Sequence, residues 1–375
     1  MKSSLMLIPV FSLLLIVGCN SKKESPASGK DKAFAAFEDR FLDAYWNQYP
    51  AGSIGIGYGK YYDKLPVPDS AYYAGVISFS NRWIDSLESM DLNSLSDNNK
   101  ISYHIIKNQL ESDRWYTETF KQQEWDASIY NISGSCDYIL NQPWAPLAEK
   151  LRTLTAFLKS SGDYYHAAFA NLHEPTKEHL GLAIQQNQGG LSLFGKALED
   201  SIAASQLSTP EKQQLQQGID QAVAAMKGFI SSLQSIQSDK NYKFRDFRIG
   251  KQLFSEKFKY DIATDLTPEQ VYDKAVEAKH YYHRRMFILS DSVWTKYYPN
   301  QPKPQDSLAL IQMVLNKVQL EHPKPADFFD TVNNQVHRLK RFIVEKDLFD
   351  FDTAATPIVV RYMPEYARGF SSANA

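Results

Sequence analysis

Two stretches of this chain carry histidines and carboxylates close together, the raw material of a metal site. The first is His173-Glu174-Pro175-Thr176-Lys177-Glu178-His179. It opens with His-Glu, but it does not match His-Glu-x-x-His, in which both histidines fall on one helical face and the glutamate serves as general base. Pro175 suits the first turn of a helix and leaves His173 outside it, so a solvated helix start is the favoured reading. The second is Glu277, His280 and His283, each three residues on from the last. Glu-x-x-His occurs in carboxylate-bridged dimetal bundles, which need a second copy on a partner helix, and none is visible. Successive steps of three drift around a helix, and Arg284 and Arg285 would repel a cation, so a polar helix face is expected. The alternative for this cluster is a role facing substrate in a complete enzyme. His173, His179, Glu277, His280 and His283 are thus weak metal candidates, and no metal site is assigned.

Nucleophilic chemistry finds little footing. Cys136 lies in Gly134-Ser135-Cys136-Asp137 with no evident histidine partner and reads as a buried small residue. There is no Gly-x-Ser-x-Gly elbow and no phosphate-cradling Gly-x-x-x-x-Gly-Lys, and Ser133-Gly134-Ser135 lacks a strand-to-helix setting. Gly55-Ile56-Gly57-Tyr58-Gly59 follows a helix and a proline, which argues against a nucleotide site. Arg361 is a weak candidate for contacting substrate, against the plainer expectation of an exposed side chain. No catalytic residue is assigned.

Cys19 is a different matter. Leu5–Val17 is apolar apart from Ser12, follows Lys2, and is too short for a membrane span of about 20 residues. It ends in Ile16-Val17-Gly18-Cys19, which resembles the lipobox of bacterial lipoprotein precursors. Residues 1–19 are therefore expected to be a signal peptide, with Cys19 lipidated and the product anchored in the cell envelope, at the outer membrane or a periplasmic face. Residues 20–31, rich in Ser, Lys and Gly, read as a flexible tether.

Composition narrows the rest. The 41 basic and 43 acidic residues nearly balance, and no basic run with interleaved aromatics exists, so nucleic acid is not an expected partner. With Cys19 lipidated, Cys136 is the only thiol left, and no intramolecular disulfide can form. Tyrosine and phenylalanine, at 22 and 21, far outnumber the 6 tryptophans. In a helical protein they thicken the packing between helices, though exposed tyrosines could line a groove for sugars or peptides.

The elements that would position these groups are mostly helices. Phe34, Phe37, Phe41, Leu42 and Tyr45 recur at helical spacing and stop before Pro50. Residues 51–69, rich in Gly and Tyr, should form an irregular loop. Helices are predicted over about 72–91, then 97–122 opened by Ser96, then 147–171 and 177–205. Thr209-Pro210-Glu211 places an N-cap before a proline at the first helical position. Thr267-Pro268-Glu269-Gln270 adds Gln at the capping-box position, so a helix should run from Pro268 to about Leu289. Another is expected over about 325–346, carrying Phe329, Val332, Val336, Leu339 and Ile343. Residues 241–259 look like a domain junction. Pro357–Pro364 reads as a strand, and a lone strand leaves backbone groups unpaired, which suggests a missing continuation. The expected organisation is a helical domain over 32–245, followed over 246–375 by the start of an incomplete second domain.

The order of these pieces resembles a known family. Phe41-Leu42-Asp43-Ala44-Tyr45 leads into Tyr49-Pro50 and Gly55-Ile56-Gly57. Then come Leu95-Ser96, Pro146-Leu147-Ala148-Glu149-Lys150-Leu151, Ala170-Asn171-Leu172, Ile249-Gly250-Lys251-Gln252-Leu253-Phe254, Asp265-Leu266-Thr267-Pro268-Glu269 and Val359-Val360-Arg361-Tyr362-Met363-Pro364. Together they resemble the bacterial family called domain of unknown function 885, whose members are often lipoproteins. That family is similar to helical zinc metallopeptidases of the gluzincin type. The resemblance implies a zinc motif of the form His-Glu-x-x-Pro-Gly-His, C-terminal to the region matched by Pro357–Pro364, in which the motif's Glu takes the proton as water attacks a peptide bond. This sequence ends before that motif, and in the stretch at His173 Lys177-Glu178 stands where Pro-Gly belongs. The fold class expected is therefore mainly α, a metallopeptidase-like helical body with a single C-terminal strand. No cofactor is expected in this chain, zinc being expected only of a complete domain. The expected partners are the membrane through the lipid, a peptide substrate and a separately encoded C-terminal half. The alternative is a non-catalytic lipoprotein that binds glycans or peptides through an aromatic surface.

Overall fold

The computed structural model describes residues 29–349, 358 and 360–368. Residues 1–28, which include the expected signal peptide, Cys19 and most of the expected tether, lie outside the described residues. The first body opens with α1 (Gly29–Gln48), α2 (Pro50–Gly55), α3 (Ser70–Glu88) and α4 (Asp97–Trp115). On α1, Phe34, Phe37 and Phe41 are buried at helical spacing and pack with Phe79, Ile84 and Leu87 of α3 and Tyr103, Ile106 and Leu110 of α4. The cap residues explain where these helices start. The Asp69 side chain accepts from Tyr72 N, and the Ser96 side chain from Asn99 N, each satisfying an amide that the helix leaves free.

After α5 (Gln122–Trp125), α6 (Ser133–Asn141) and α7 (Leu147–Leu158) lead to α8 (Ser161–Asn171) and α9 (Lys177–Gly190). Then come α10 (Lys196–Ala204) and the long α11 (Thr209–Ser238). Their apolar faces converge on one core holding Leu151, Leu154, Phe157, Leu180, Met226 and Leu233. The C-terminal elements are α12 (Gly250–Ile262), α13 (Pro268–Tyr297), α14 (Ser307–Val318) and α15 (Phe328–Lys346). α12 lies against α4, where Trp115 Nε1 donates to Glu256 at 2.8 Å and Asn108 Nδ2 to the Tyr260 carbonyl at 3.0 Å.

The fold is mainly α, as the periodicity requires. The capping box at Thr267 forms as read: Gln270 N donates to Thr267 Oγ1 at 3.2 Å, and Thr267 N to Gln270 Oε1 at 2.9 Å. Several boundaries differ. The stretch expected as one helix over 147–171 breaks at Lys159 and Ser160, because Ser160-Ser161-Gly162 favours turns over helix interior. The stretch over 177–205 breaks at a 3-10 turn, Leu191–Phe194, flanked by Gly190 and Gly195. Ser208, not Thr209, caps α11, with its N and Oγ both donating to Glu211 Oε2 at 2.7 and 2.8 Å. The last turn over 116–120 is a π-helix that ends at Lys121, whose φ of 52° is left-handed.

Three segments are more helical than their composition suggests. α2 lies inside the expected loop, α12 inside the expected junction, and α14 in a stretch with no helix predicted. α13 runs past Leu289 because Trp294 packs against Leu310 and Val314 of α14, with Ser290 buried one turn before it. The strand expected over Pro357–Pro364 is absent among the described residues. Ile358 and Val360–Pro364 have no ladder partners, and a strand needs a neighbour to satisfy its amides; Pro357 and Val359 lie outside the described residues. The chain then makes a 3-10 turn, Glu365–Ala367, seated on α9.

Candidate functional site

A cleft of about 260 Å³ opens where α2 and the N-terminus of α3 meet Ile129–Ser135 and α8. Tyr49, Tyr72, Tyr73, Tyr130 and Tyr164 supply most of its rings, with Pro50, Pro66 and Pro68 between them. Two arrangements hold these elements in place. Asp43 on α1 accepts from Lys60 at 2.7 Å and from the Tyr61 and Tyr58 hydroxyls at 3.0 and 3.3 Å, which ties the loop after α2 to α1. Asn171 Nδ2 donates to the Pro68 carbonyl at 2.6 Å and to the Tyr130 hydroxyl at 3.1 Å, which ties the proline segment to α8. Tyr130 donates onward to the Gln123 carbonyl at 2.8 Å, and the Tyr73 and Tyr130 hydroxyls lie 3.3 Å apart. The floor of the cleft is therefore a closed seam of neutral hydrogen bonds.

None of the side chains lining this cleft is Lys, Arg, His, Cys, Asp or Glu. Burial raises the pKa of the Tyr49, Tyr72, Tyr73, Tyr130 and Tyr164 hydroxyls, so all of them stay protonated at neutral pH. A carboxylate stands behind the wall. Asp113 on α4 interacts electrostatically with Tyr49 and Tyr72 and takes one firm hydrogen bond, from Gln109 Nε2 to Oδ1 at 2.8 Å. Its Oδ2 and the Tyr49 hydroxyl are both buried, and neither has a well-aligned partner, although the two groups lie side by side. Burial pushes the Asp113 carboxyl up to about 6, against the opposing pull of Gln109, Tyr49 and Tyr45. Such a cleft can grip a ligand by ring faces and hydroxyls, and it holds no nucleophile paired with a base.

The residues singled out for metal chemistry sit elsewhere and do not converge. His173 is exposed, and its backbone N–H donates to the Glu124 carbonyl at 2.9 Å. Thr176, fully buried, caps α9 by accepting from His179 N at 3.3 Å, and its Oγ1 lies 2.6 Å from His179 Nδ1. The His179 ring meets the edge of Trp125 with centroids 5.3 Å apart, and its Nε2 is 3.9 Å from Asp126 Oδ2. Arg245 stacks on the same Trp125 at 4.8 Å. Glu277 and His280 are exposed on α13, while His283 Nε2 lies 3.2 Å from Ser307 Oγ of α14. Among the described residues, no group of three or more His, Cys, Asp or Glu side chains could hold a metal ion, so these residues do not fit the zinc that the family resemblance implies.

Cys136 is a free thiol buried in the main core, and burial raises its pKa far above the usual range. Arg361 is exposed. It stands near Tyr366, whose hydroxyl donates to Asp137 Oδ2 at 3.2 Å. The tyrosine cleft escapes sequence reading because its rings come from segments far apart in the chain. Tyr49-Pro50 and Tyr72-Tyr73 are the local signals that point to it.

A second feature is an open apolar trough of about 920 Å³ between α12 and the start of α13, lined by Phe247, Phe254, Phe258, Val271 and Tyr272. Beyond it, the outer faces of α13 and α15 present Tyr282, Ile288, Leu289, Leu339 and Phe342 to solvent, and α15 buries none of its residues. No helix among the described residues is long and apolar enough to cross a membrane.

Comparison with known proteins places the chain. Among solved structures, a protein from Shewanella oneidensis described as a candidate lipoprotein of unknown function is similar at 35% identity, with a TM-score of 0.72 over 88% of this chain. The match covers 61% of that protein, so this chain spans about three-fifths of its length. No curated protein matches. A family model described as bacterial protein of unknown function (DUF885) matches residues 50–375, and the chain belongs to that family.

Proposed function

We propose that this chain is a lipid-anchored protein of the bacterial envelope, and that its helical body is the metal-free portion of a zinc-peptidase-like assembly acting on peptides. The water-activating site is supplied by polypeptide that this sequence does not contain, encoded with it or separately. The observation that carries the reading is the unburied amphipathic surface of α13 and α15. Leu339 is 55% and Phe342 48% exposed on a helix with no buried residue. An apolar face of that extent is a normal feature of a surface that another layer covers. The match to three-fifths of the Shewanella oneidensis protein, and that protein's description as a lipoprotein, support the same reading.

The test has two arms. Metabolic labelling with a radioactive fatty acid is expected to mark the expressed protein and to fail in Cys19→Ser. Purified residues 20–375 are expected to bind less than stoichiometric zinc, to cleave no peptide, and to bind an apolar dye strongly through the exposed faces. Stoichiometric zinc that disappears in His173→Ala or His179→Ala would overturn the reading.

One observation favours a second reading, the non-catalytic binding protein. The tyrosine and proline cleft is formed within the described residues and has ring faces and neutral hydroxyls on offer.

A further inference from the structure

The cleft's chemistry says more than that it is aromatic. Its lining is uncharged, and a carboxylate, Asp113, stands next to Tyr49 behind it. The lining contains no cation, and the groups that perturb Asp113 are Tyr45 of α1, Tyr49 at the start of α2 and Gln109 of α4, all neutral. The carboxylate is half-buried behind Tyr49 and Tyr72 with one oxygen unpaired, and the ring faces of those tyrosines add the negative side of their quadrupoles. A carboxylate out of water without a counter-ion is unfavourable, and a cation brought close to it recovers part of that cost. At about 260 Å³ the cleft suits one long side chain better than a drug-sized molecule. Pro50, Leu65 and Phe157 give an apolar stem something to pack on.

We propose that the cleft between α2, α3 and α8 is a recognition pocket for a basic peptide side chain, with the ammonium over the faces of Tyr49 and Tyr72, the carboxylate of Asp113 behind them, and the methylene stem against the prolines. This inference rests on reading the cleft as a ligand site and is independent of any peptidase activity. An anionic ligand is disfavoured by the same carboxylate. A neutral sugar would use the rings and hydroxyls but gain nothing from Asp113.

The experiment is calorimetric titration of residues 20–375 with three blocked tetrapeptides of sequence Ala-Ala-X-Ala, in which X is lysine, norleucine or glutamate, and with a neutral trisaccharide. The lysine peptide is expected to bind roughly tenfold more tightly than the norleucine peptide, with no detectable binding of the glutamate peptide. Asp113→Asn, checked for native helical circular dichroism, is expected to bring the lysine peptide down to the norleucine level and to leave the norleucine peptide unchanged. Equal affinity for lysine and norleucine, or unchanged discrimination in Asp113→Asn, would overturn the proposal while leaving the cleft as a peptide site. Tighter binding of the trisaccharide would overturn it in favour of a glycan, and absence of binding by all four ligands would remove the cleft reading as well.

Discussion

Gln109 Nε2 donates to Asp113 Oδ1 at 2.8 Å along one turn of α4, and the other oxygen of that carboxylate is buried without a partner. A half-satisfied carboxyl away from water holds its proton more tightly than a free one.

Its titration should therefore appear in stability. The native carboxyl sits at about 6, whereas an unfolded aspartate titrates at about 3.9. Between those values the native state binds more protons, so this group's contribution is greatest below about pH 4 and is lost as pH rises through about 6. Asp113→Asn keeps the shape without the charge. It is expected to raise Tm by about 2 °C at pH 7.5 and to leave it unchanged near pH 4. Thermal unfolding across that range checks the sign, and an equal shift at both ends would show that charge burial is not the cause.

At the start of α9, Thr176 is fully buried, caps the helix and contacts His179. Thr176→Val should cost about 1–2 kcal/mol in urea unfolding, through a lost cap and an unpaired helix amide. The exposed neighbour Lys177→Ala should stay within about 0.5 kcal/mol, which separates the cap from a general effect of substitution.

Gly189 lies against the last described turn. A methyl group there would stand 2.8 Å from Glu365 C and from Tyr366 N, both backbone atoms that cannot rotate away. Gly189→Ala is expected to release residues 360–368 while the helical body stays folded. Tryptic cleavage at Arg361 and Arg368 should then accelerate on the order of tenfold, with little change in circular dichroism.

The thiol of Cys136 is fully buried, and burial holds it protonated. A thiol reagent should therefore leave the native protein unlabelled, and its rate should follow the unfolding equilibrium as urea is added. Rapid labelling without denaturant would mean that the main core opens locally at α6.

On α15, Leu339→Asp together with Phe342→Asp removes two exposed apolar side chains. Stability should change by no more than about 0.5 kcal/mol for each, since neither is buried. Dye binding and self-association should both fall. A large loss of stability would show that this face is covered within the chain itself.

How much of this was legible in advance follows a physical rule. Helices with one deeply buried stripe announced themselves, as Phe34, Phe37 and Phe41 did on α1. The capping box Thr267–Gln270 was readable because its partners are three residues apart. α12 was not, since none of its residues is buried and no stripe contrasts with the rest of its surface. The strand expected over Pro357–Pro364 is absent among the described residues for the opposite reason: its residues favour an extended chain, but a ladder partner must come from elsewhere in the fold.

Local chemistry along the chain thus decides helical character, caps, breaks and a thiol without a disulfide partner, because each depends on neighbours within a turn or two. Only the folded molecule decides that Tyr49, Tyr72, Tyr130 and Tyr164 share a cleft, that Asp113 stands behind it with one oxygen unpaired, and that His173 and His179 serve a helix start beside Trp125. Those contacts join residues tens of positions apart. Their distances follow from how the helices pack, which no periodicity within a single segment encodes.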